Sequence, residues 1–157
     1  MYLVADKDKT CYSENNRVVL ERYKYMKKVR ECMEYQIGSA VLDGWKIVRR
    51  VGSGASGTVY EVQKQKDDIT LSSALKVMRV PQDASLPDTL RSEGMDEMSV
   101  TRYMHGVVDE LIREIKIMVS LKGFSYIVSC EDYEVVQENG SAQWDVLIRM
   151  ELLTPLQ

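Results

Sequence analysis

A glycine-rich loop with a strand directly after it constrains the fold of this chain more than any other feature. Residues 52–59 read Gly-Ser-Gly-Ala-Ser-Gly-Thr-Val, and residues 58–64 are rich in β-branched and aromatic side chains. In dinucleotide-binding folds the same three glycines open a helix whose N-terminus holds the pyrophosphate. Here a strand pattern follows instead, so we expect the loop to join two strands of a β-hairpin.

Composition excludes several classes of function. The 157 residues carry a formal net charge of −3 without a basic block, so we expect no nucleic-acid binding. No apolar run approaches the ~18 residues of a membrane span, and the N-terminus becomes charged too early for a signal peptide. Three widely spaced cysteines and one histidine predict neither a disulfide framework nor a metal site. We therefore expect a cytoplasmic protein without a bound metal.

Strand and helix patterns together predict an α+β fold. Five segments are short and rich in β-branched and aromatic residues, namely 45–51, 58–64, 72–80, 127–137 and 144–152. Between the third and the fourth, residues 100–122 have a helical period with an apolar stripe, which consists of Val107, Leu111, Ile115 and Met118. This order predicts a five-stranded antiparallel sheet with one long helix on one face.

An additional helix is predicted ahead of the sheet. Apolar residues recur at three- and four-residue steps within residues 13–36, Ser13 can cap the start, and Gly38 stands where a C-cap glycine would end the helix. We therefore divide the chain into a helical extension, residues 1–41, and a sheet domain, residues 42–157. The helix either packs its apolar stripe on the domain or binds a partner.

One lysine on the third strand and two glutamates on the helix could carry chemistry. Ala74, Lys76 and Met78 alternate onto one face of the strand. A lysine on an inward face needs an anionic partner, because a buried unpaired ammonium is costly. Phosphate groups or a helix carboxylate would supply one, and Glu110 and Glu114 lie one helical turn apart. A solvent-facing lysine with solvated glutamates is the alternative.

Four features follow one another along the chain: the glycine loop, the strand lysine, the helix glutamate and the Met-Glu-Leu-Leu sequence at residues 150–153. They resemble the N-terminal lobe of a bacterial eukaryotic-like (Hanks-type) serine/threonine protein kinase, over residues 42–155. The resemblance implies an ATP site formed by Gly52, Ser53, Gly54, Ala55, Ser56, Gly57, Val59, Ala74, Lys76, Met150, Glu151 and Leu153.

The resemblance also implies how the phosphates would be held. The backbone N–H groups of the glycine loop would face the phosphates, because the missing side chains allow a close approach. Lys76 would bind the α- and β-phosphates, and an ion pair with Glu114 would hold it in place. Glu110 takes that role if the helix register slips by one turn.

The remaining residues would surround the adenine ring. By the same resemblance, Val59 and Ala74 cover the ring from above, and Met150 is the gatekeeper beside the back pocket. The carbonyl of Glu151 and the N–H of Leu153 would bond the adenine edge. We call residues 150–153 the hinge segment.

Two departures from the family pattern affect these expectations. Lys76 and Glu114 are 38 residues apart (114 − 76 = 38), which is more than kinases usually place between this strand lysine and the helix glutamate. We expect the additional residues, within 81–104, to form an extra helix or a mobile insert. The chain ends at Gln157 without the His-Arg-Asp catalytic loop or the Asp-Phe-Gly segment. It is therefore expected to contain no catalytic residues and to be inactive alone, with weak or no ATP binding.

Three functions remain open from the sequence. In the first, the chain is part of a kinase that uses ATP with Mg²⁺ to phosphorylate serine or threonine hydroxyls of a protein substrate bound by a missing C-terminal lobe. In the second, it is a stand-alone, non-catalytic interaction or dimerisation module that self-associates through its exposed cleft face or its N-terminal helix. The third, a dinucleotide-binding enzyme, largely fails because a strand follows the loop.

Overall fold

The computed structural model describes residues 35–138 and 140–153. Its elements are β1 (Ala40–Val41), β2 (Trp45–Gly54), β3 (Gly57–Lys66), β4 (Ile69–Val80), α1 (Leu86–Ser92), α2 (Glu97–Ser120), β5 (Cys130–Gln137) and β6 (Trp144–Met150). All strand pairs are antiparallel, and the order across the sheet is β1-β2-β3-β4-β6-β5. The predicted α+β class is therefore confirmed, and five of the strands lie where the sequence places them.

The prediction of five strands was wrong by one, because β1 adds a sixth. Ala40 and Val41 pair with Lys46 and Trp45 across a tight turn. Leu42, Asp43 and Gly44 in that turn all have positive φ, at 42°, 54° and 87°. A two-residue strand has no period that a pattern could reveal, and only the turn conformation brings it back against β2. The sheet consequently begins two residues before the predicted domain start.

The turn between β3 and β4 follows from its two aspartates. Asp67 and Asp68 occupy a two-residue loop, and both have positive φ, at 47° and 63°. Such loops match the twist of the strands that they join, and aspartate tolerates the left-handed region better than most residues. Nine successive residue pairs then hold β3 to β4, from Lys66↔Ile69 to Thr58↔Val77.

The sheet carries an apolar cluster on each face. The first packs α1, α2 and the start of β5 against the sheet and contains Met78, Val80, Leu90, Val100, Met104, Val108, Ile115, Cys130, Ala142, Trp144, Val146 and Ile148. The second contains Val41, Leu42, Trp45, Ile47, Tyr60, Val62, Leu75, Val77 and Leu147. We call the first side of the sheet the α2 face and the second side the opposite face.

The apolar stripe of α2 differs from the predicted one at a single position. Val107 is 37% exposed, whereas Val108 is buried together with Met104 and Ile115. Steps of four lead from Val100 to Met104 and Val108, and a step of seven leads on to Ile115, so the predicted Val107 lies one residue before the buried side. The helix itself begins at Glu97, three residues before the predicted start.

Residues 81–104, expected to form an extra helix or a mobile insert, are largely helical. They contain α1 and the first turns of α2, which Arg91 joins through charged hydrogen bonds. Its Nε lies 2.7 Å from one Glu97 oxygen, and its Nη1 lies 2.9 Å from Asp88. Asp96 caps α2 and accepts a 2.7 Å bond from the Ser99 N–H.

Part of the predicted architecture lies outside the described residues. Of the predicted helix at residues 13–36, only Tyr35 and Gln36 are described, and neither is helical. The division of the chain at residue 41 therefore stays a prediction. Within the described residues, no helix is both long enough and apolar enough to cross a membrane.

Candidate functional site

The glycine loop joins β2 to β3 as the sequence predicts. Gly54 pairs with Gly57 at the end of the ladder, and Ala55 and Ser56 form the loop between them. Residues 51–56, including Gly52 and Ser53, are exposed. The loop therefore projects from the sheet with its backbone accessible.

Gly57 is required by the fold itself. Its φ is +131°, a region that side-chain-bearing residues rarely adopt. A Cβ at this position would also run into the carbonyl oxygen of Val77 on β4. This glycine is explained by the close approach of two strands, and it carries no information about a ligand.

Gly52 and Gly54 have no such explanation within the fold. Neither has a positive φ, and a Cβ built on either would meet no atom within 4 Å. Glycine inside a strand costs roughly 0.5–1 kcal/mol relative to alanine, because it loses more conformational freedom on folding. Neither the backbone conformation nor a close contact among the described residues therefore requires glycine at these two positions.

Strand pairing places several predicted residues in one row across the α2 face. Gly52 lies opposite Val59, Val59 opposite Lys76, and Lys76 opposite Ile148. Directly opposed residues of an antiparallel pair share a face, and Ile148 packs into the cluster with α2. The half-buried Lys76 therefore extends from the α2 face, beside Val59 and below the glycine loop.

A second row runs parallel to the first and reaches the hinge segment. Ala74, which is buried, lies opposite Met150 on β6, and Met150 lies opposite Cys130 on β5. Met150 also packs against the α2-face cluster. The two rows bring Val59, Lys76, Ala74 and Met150 together on one face, as the resemblance implies.

The backbone of the hinge segment is partly used by the sheet. The Glu151 N–H donates to the Ser129 carbonyl at 3.2 Å, which extends the pairing beyond β6. Within the described residues, the Glu151 carbonyl and the Leu153 N–H have no backbone partner. Both residues are exposed and lie just beyond the end of β6.

The predicted ion pair of Lys76 is not formed in this structure. Glu114 and Glu110 are both exposed, and no salt bridge among the described residues joins either one to Lys76. Glu114 precedes the buried Ile115 by one residue, which is about 100° around the helix. It lies on the flank of α2, and its pairing with Lys76 stays a prediction.

Two features near the site give no signal in the sequence. Val51 sits in a β-bulge beside Gly52 and is 48% exposed, although it is apolar. Glu61, opposite Ala74, accepts a 2.7 Å bond from Arg49 Nε. A bulge is a property of two paired strands, so the pattern of one strand cannot reveal it. The Glu61 pairing likewise depends on register.

Two further groups can be assigned. Cys130 is buried, and desolvation raises the pKa of its thiol, so it is a packing residue and not a reactive one. Among the described residues, no group of three or more histidine, cysteine, aspartate or glutamate side chains could hold a metal ion.

Comparison with known proteins finds likeness at the level of structure only. No family model matches the chain, and no curated protein matches it. The fold is similar to that of the PknI kinase domain of Mycobacterium tuberculosis, solved as a double mutant, with a TM-score of 0.44 and 21% sequence identity. The match covers 77% of this chain and 37% of that chain, so this chain spans little more than a third of the kinase domain's length.

Proposed function

We propose that the α2 face is the ATP-binding side of a protein-kinase-like N-terminal lobe. The observation that carries the proposal is the row of opposed residues from Gly52 through Val59 to Lys76. This row places the positively charged Lys76 near a loop that contains two glycines, Gly52 and Gly54, which the fold does not require.

The residues of this face fit the parts of ATP. Loop N–H groups approach the phosphate oxygens where Gly52 and Gly54 leave open space, and the Lys76 ammonium binds the α- and β-phosphates. Val59 and Ala74 supply an apolar surface for the adenine ring. ATP supplies a γ-phosphoryl group for transfer when it is bound.

The hinge segment supplies the polar edge of the site. The carbonyl of Glu151 matches the adenine amino group, and the N–H of Leu153 matches a ring nitrogen; neither has a backbone partner in the part of the chain that the structure describes. Met150 closes the inner end of the apolar surface beside Cys130. We propose no Mg²⁺ ligand among the residues of this site.

We propose that this chain alone does not transfer phosphate. The sequence contains neither the His-Arg-Asp nor the Asp-Phe-Gly motif on which kinases depend for orienting the hydroxyl and binding the metal. ATP transfer to serine or threonine hydroxyls of a protein is therefore an activity proposed for a kinase that contains such a lobe. Weak ATP binding follows for the chain alone, because one sheet covers only one side of the nucleotide.

A titration of ATP into Lys76→Met tests the proposal. We expect the wild-type chain to bind ATP with a Kd well above ~1 µM, and the variant to bind at least ~10-fold more weakly, because hydrogen bonds to charged groups contribute ~1.5–3 kcal/mol. Lys46→Met is the matched control, since Lys46 is an exposed lysine on β2 outside the row. Its ATP affinity should equal that of the wild type, and thermal unfolding should change little in either variant.

Two results of that titration would contradict the proposal. One is the absence of ATP binding at ~10 mM nucleotide, far above the ~1 mM at which binding is worth ~4 kcal/mol. The other is an equal loss of affinity in Lys46→Met and Lys76→Met. A Kd below ~1 µM would contradict the expected weakness of binding, since that value corresponds to ~8 kcal/mol.

A non-catalytic interaction module is the second candidate, and exposed aromatic residues favour it. Phe124 is 62% exposed, and Tyr126 is fully exposed with φ +69°. Apolar surface of this kind favours association. We propose that the chain self-associates, and light scattering that finds only monomer at tens of micromolar would contradict this.

Location in the cytoplasm also stays a proposal.

A further inference from the structure

A charged network lies on the opposite face of the sheet, directly behind the proposed adenine surface. Arg149 Nη1 donates to Glu131 and, at 3.3 Å, to the Ser73 hydroxyl, which itself donates to Glu131 Oε2 at 3.2 Å. The Arg149 guanidinium also stacks 4.5 Å from the ring centroid of Trp45. Four strands, β2, β4, β5 and β6, therefore meet at this one guanidinium.

A β-bulge places Glu131 in the network. The register between β5 and β6 shifts between Cys130, which opposes Met150, and Asp132, which opposes Arg149. Glu131 is the extra residue, and bulges commonly redirect a side chain. In a regular ladder, Asp132 alone would lie opposite Arg149. Because of the bulge, Glu131 on the same strand also lies beside Arg149.

The network borders the proposed adenine surface through the backbone. Ser73 immediately precedes Ala74, and Arg149 immediately precedes Met150. Successive strand residues face opposite sides, so Ser73 and Arg149 are each one peptide unit from a residue of the proposed ATP site. A shift of Arg149 would therefore move Met150 and the start of the hinge segment.

Stability alone does not account for this arrangement. The Arg149 side chain is only 15% exposed, and its buried Nε has no hydrogen-bond partner among residues 35–138 and 140–153. Buried ion pairs are often replaceable by apolar residues at no cost in stability, because removing two charges from water offsets their attraction. What such a pair does supply is a defined relative position of the elements that it joins.

We propose that Arg149 is a positioning residue that fixes the hinge segment for base recognition. The inference rests on the proposed ATP site. With the hinge segment fixed, the Glu151 carbonyl meets the amino donor of adenine, and the Leu153 N–H meets an acceptor nitrogen. Guanine presents the reverse pattern at these positions, an oxygen acceptor and an N–H donor. A rigid hinge segment therefore rejects guanine, whereas a loosened one can shift to accommodate it.

The test compares ATP with GTP affinity in the wild type and in Glu131→Gln. This substitution keeps the shape of the side chain and removes its charge, which leaves Arg149 without its anionic partner. The matched control is Asp145→Asn, because Asp145 on β6 pairs with Arg79 on β4 at 3.4 Å, five residues along β4 from Ala74. Arg149→Lys is a second variant that keeps the charge but loses the planar fork.

We expect the wild type to prefer ATP by at least ~5-fold, since a matched pair of base hydrogen bonds discriminates by ~1–3 kcal/mol. Glu131→Gln and Arg149→Lys should bring the ATP:GTP ratio close to one. Asp145→Asn should keep the wild-type ratio even where it lowers the unfolding temperature. A merely structural role would lower stability in all three variants and leave the ratio unchanged.

Failure of this inference can be told apart from failure of the proposed site. A wild type that binds neither nucleotide overturns both. Retained ATP binding with an unchanged ATP:GTP ratio in Glu131→Gln overturns only the role of Arg149. An equal change of the ratio in Asp145→Asn also overturns it, because the effect would then belong to the sheet as a whole.

Discussion

Two of the loop glycines, Gly57 and Gly54, should respond oppositely to substitution by alanine. Gly57 is needed by the fold, because its φ is +131° and a Cβ would strike the Val77 carbonyl. Gly54 has neither a positive φ nor a neighbour within 4 Å of a built Cβ. If Gly54 serves a ligand, then Gly54→Ala should leave the fold intact or improve it and should weaken only nucleotide binding.

The magnitudes follow from these two environments. Backbone strain at a non-glycine residue costs about 1–3 kcal/mol, and the forced contact adds about 1–3 kcal/mol of overpacking at Gly57. Gly54→Ala should gain about 0.4–1 kcal/mol, because alanine restricts the unfolded chain. At roughly 2–4 °C per kcal/mol for a chain of this size, Gly57→Ala lowers the unfolding temperature by about 5–20 °C, and Gly54→Ala raises it by about 1–4 °C.

Thermal unfolding followed by circular dichroism, together with an ATP titration of each variant, checks this reasoning. The expected pattern is an unstable Gly57→Ala and a stable Gly54→Ala that binds ATP several-fold more weakly. Equal destabilisation by both substitutions would refute the assignment of Gly54 to a ligand. Unchanged ATP affinity in Gly54→Ala would refute it as well, because the added methyl group would then meet nothing.

Three further outcomes are expected. Leu75→Ala should cost about 2–5 kcal/mol in urea unfolding, because Leu75 is fully buried, whereas Leu71→Ala on the same strand should cost under ~1 kcal/mol, because Leu71 is 41% exposed. Hydrogen bonds from Ser99 lower the pKa of Asp96; the stability advantage over Asp96→Ala should therefore be present at pH 7 and vanish as the pH falls below ~4, the ordinary range of the carboxyl. Burial raises the pKa of the Cys130 thiol, so mass spectrometry should find Cys130 unalkylated at pH 8 in the folded protein and alkylated in guanidinium. The contribution of the neutral Cys130 thiol to the free energy of unfolding should be full below pH ~8.5 and fall above that pH.

The sequence predicted the parts of the fold that depend on local periodicity. The strands around Lys76 and Ile148 are runs of seven or more residues rich in apolar and β-branched side chains, and α2 repeats its apolar residues over six turns, so both patterns are long enough to recognise. The glycine loop was placed correctly because Val59 begins a strand pattern directly after it. Each of these features is encoded within one segment of the chain.

The features that the sequence analysis missed depend on pairing between segments. The short strand Ala40–Val41 exists only because three positive-φ residues return the chain to β2. The bulges at Val51 and Glu131 are defined by the register of two strands. Arg149 reads as an ordinary polar residue on the last strand until its partners on three other strands are known.

The candidate site likewise combines features that the sequence predicts with features that depend on how separate segments pack. Its members were chosen by resemblance, and the structure brings Val59, Lys76, Ala74 and Met150 onto one face by register. The ion pair to Glu114 needs a specific rotation of α2 about its axis. Periodicity fixes which side of the helix is buried, but it does not determine where a flanking residue points within about 100°.

Amide mapping of ATP binding tests the central claim most directly. In a ¹⁵N-labelled chain, added ATP should shift the amide signals of residues 52–59 and of Leu153, and it should leave the β3–β4 turn at Asp67 and Asp68 unchanged. The Lys76→Met chain should show much smaller shifts at the same ATP concentration. Shifts spread over α1 and the β3–β4 turn, or no shifts at ~10 mM ATP, where even a site worth only ~4 kcal/mol would be filled, would contradict an ATP site on this face.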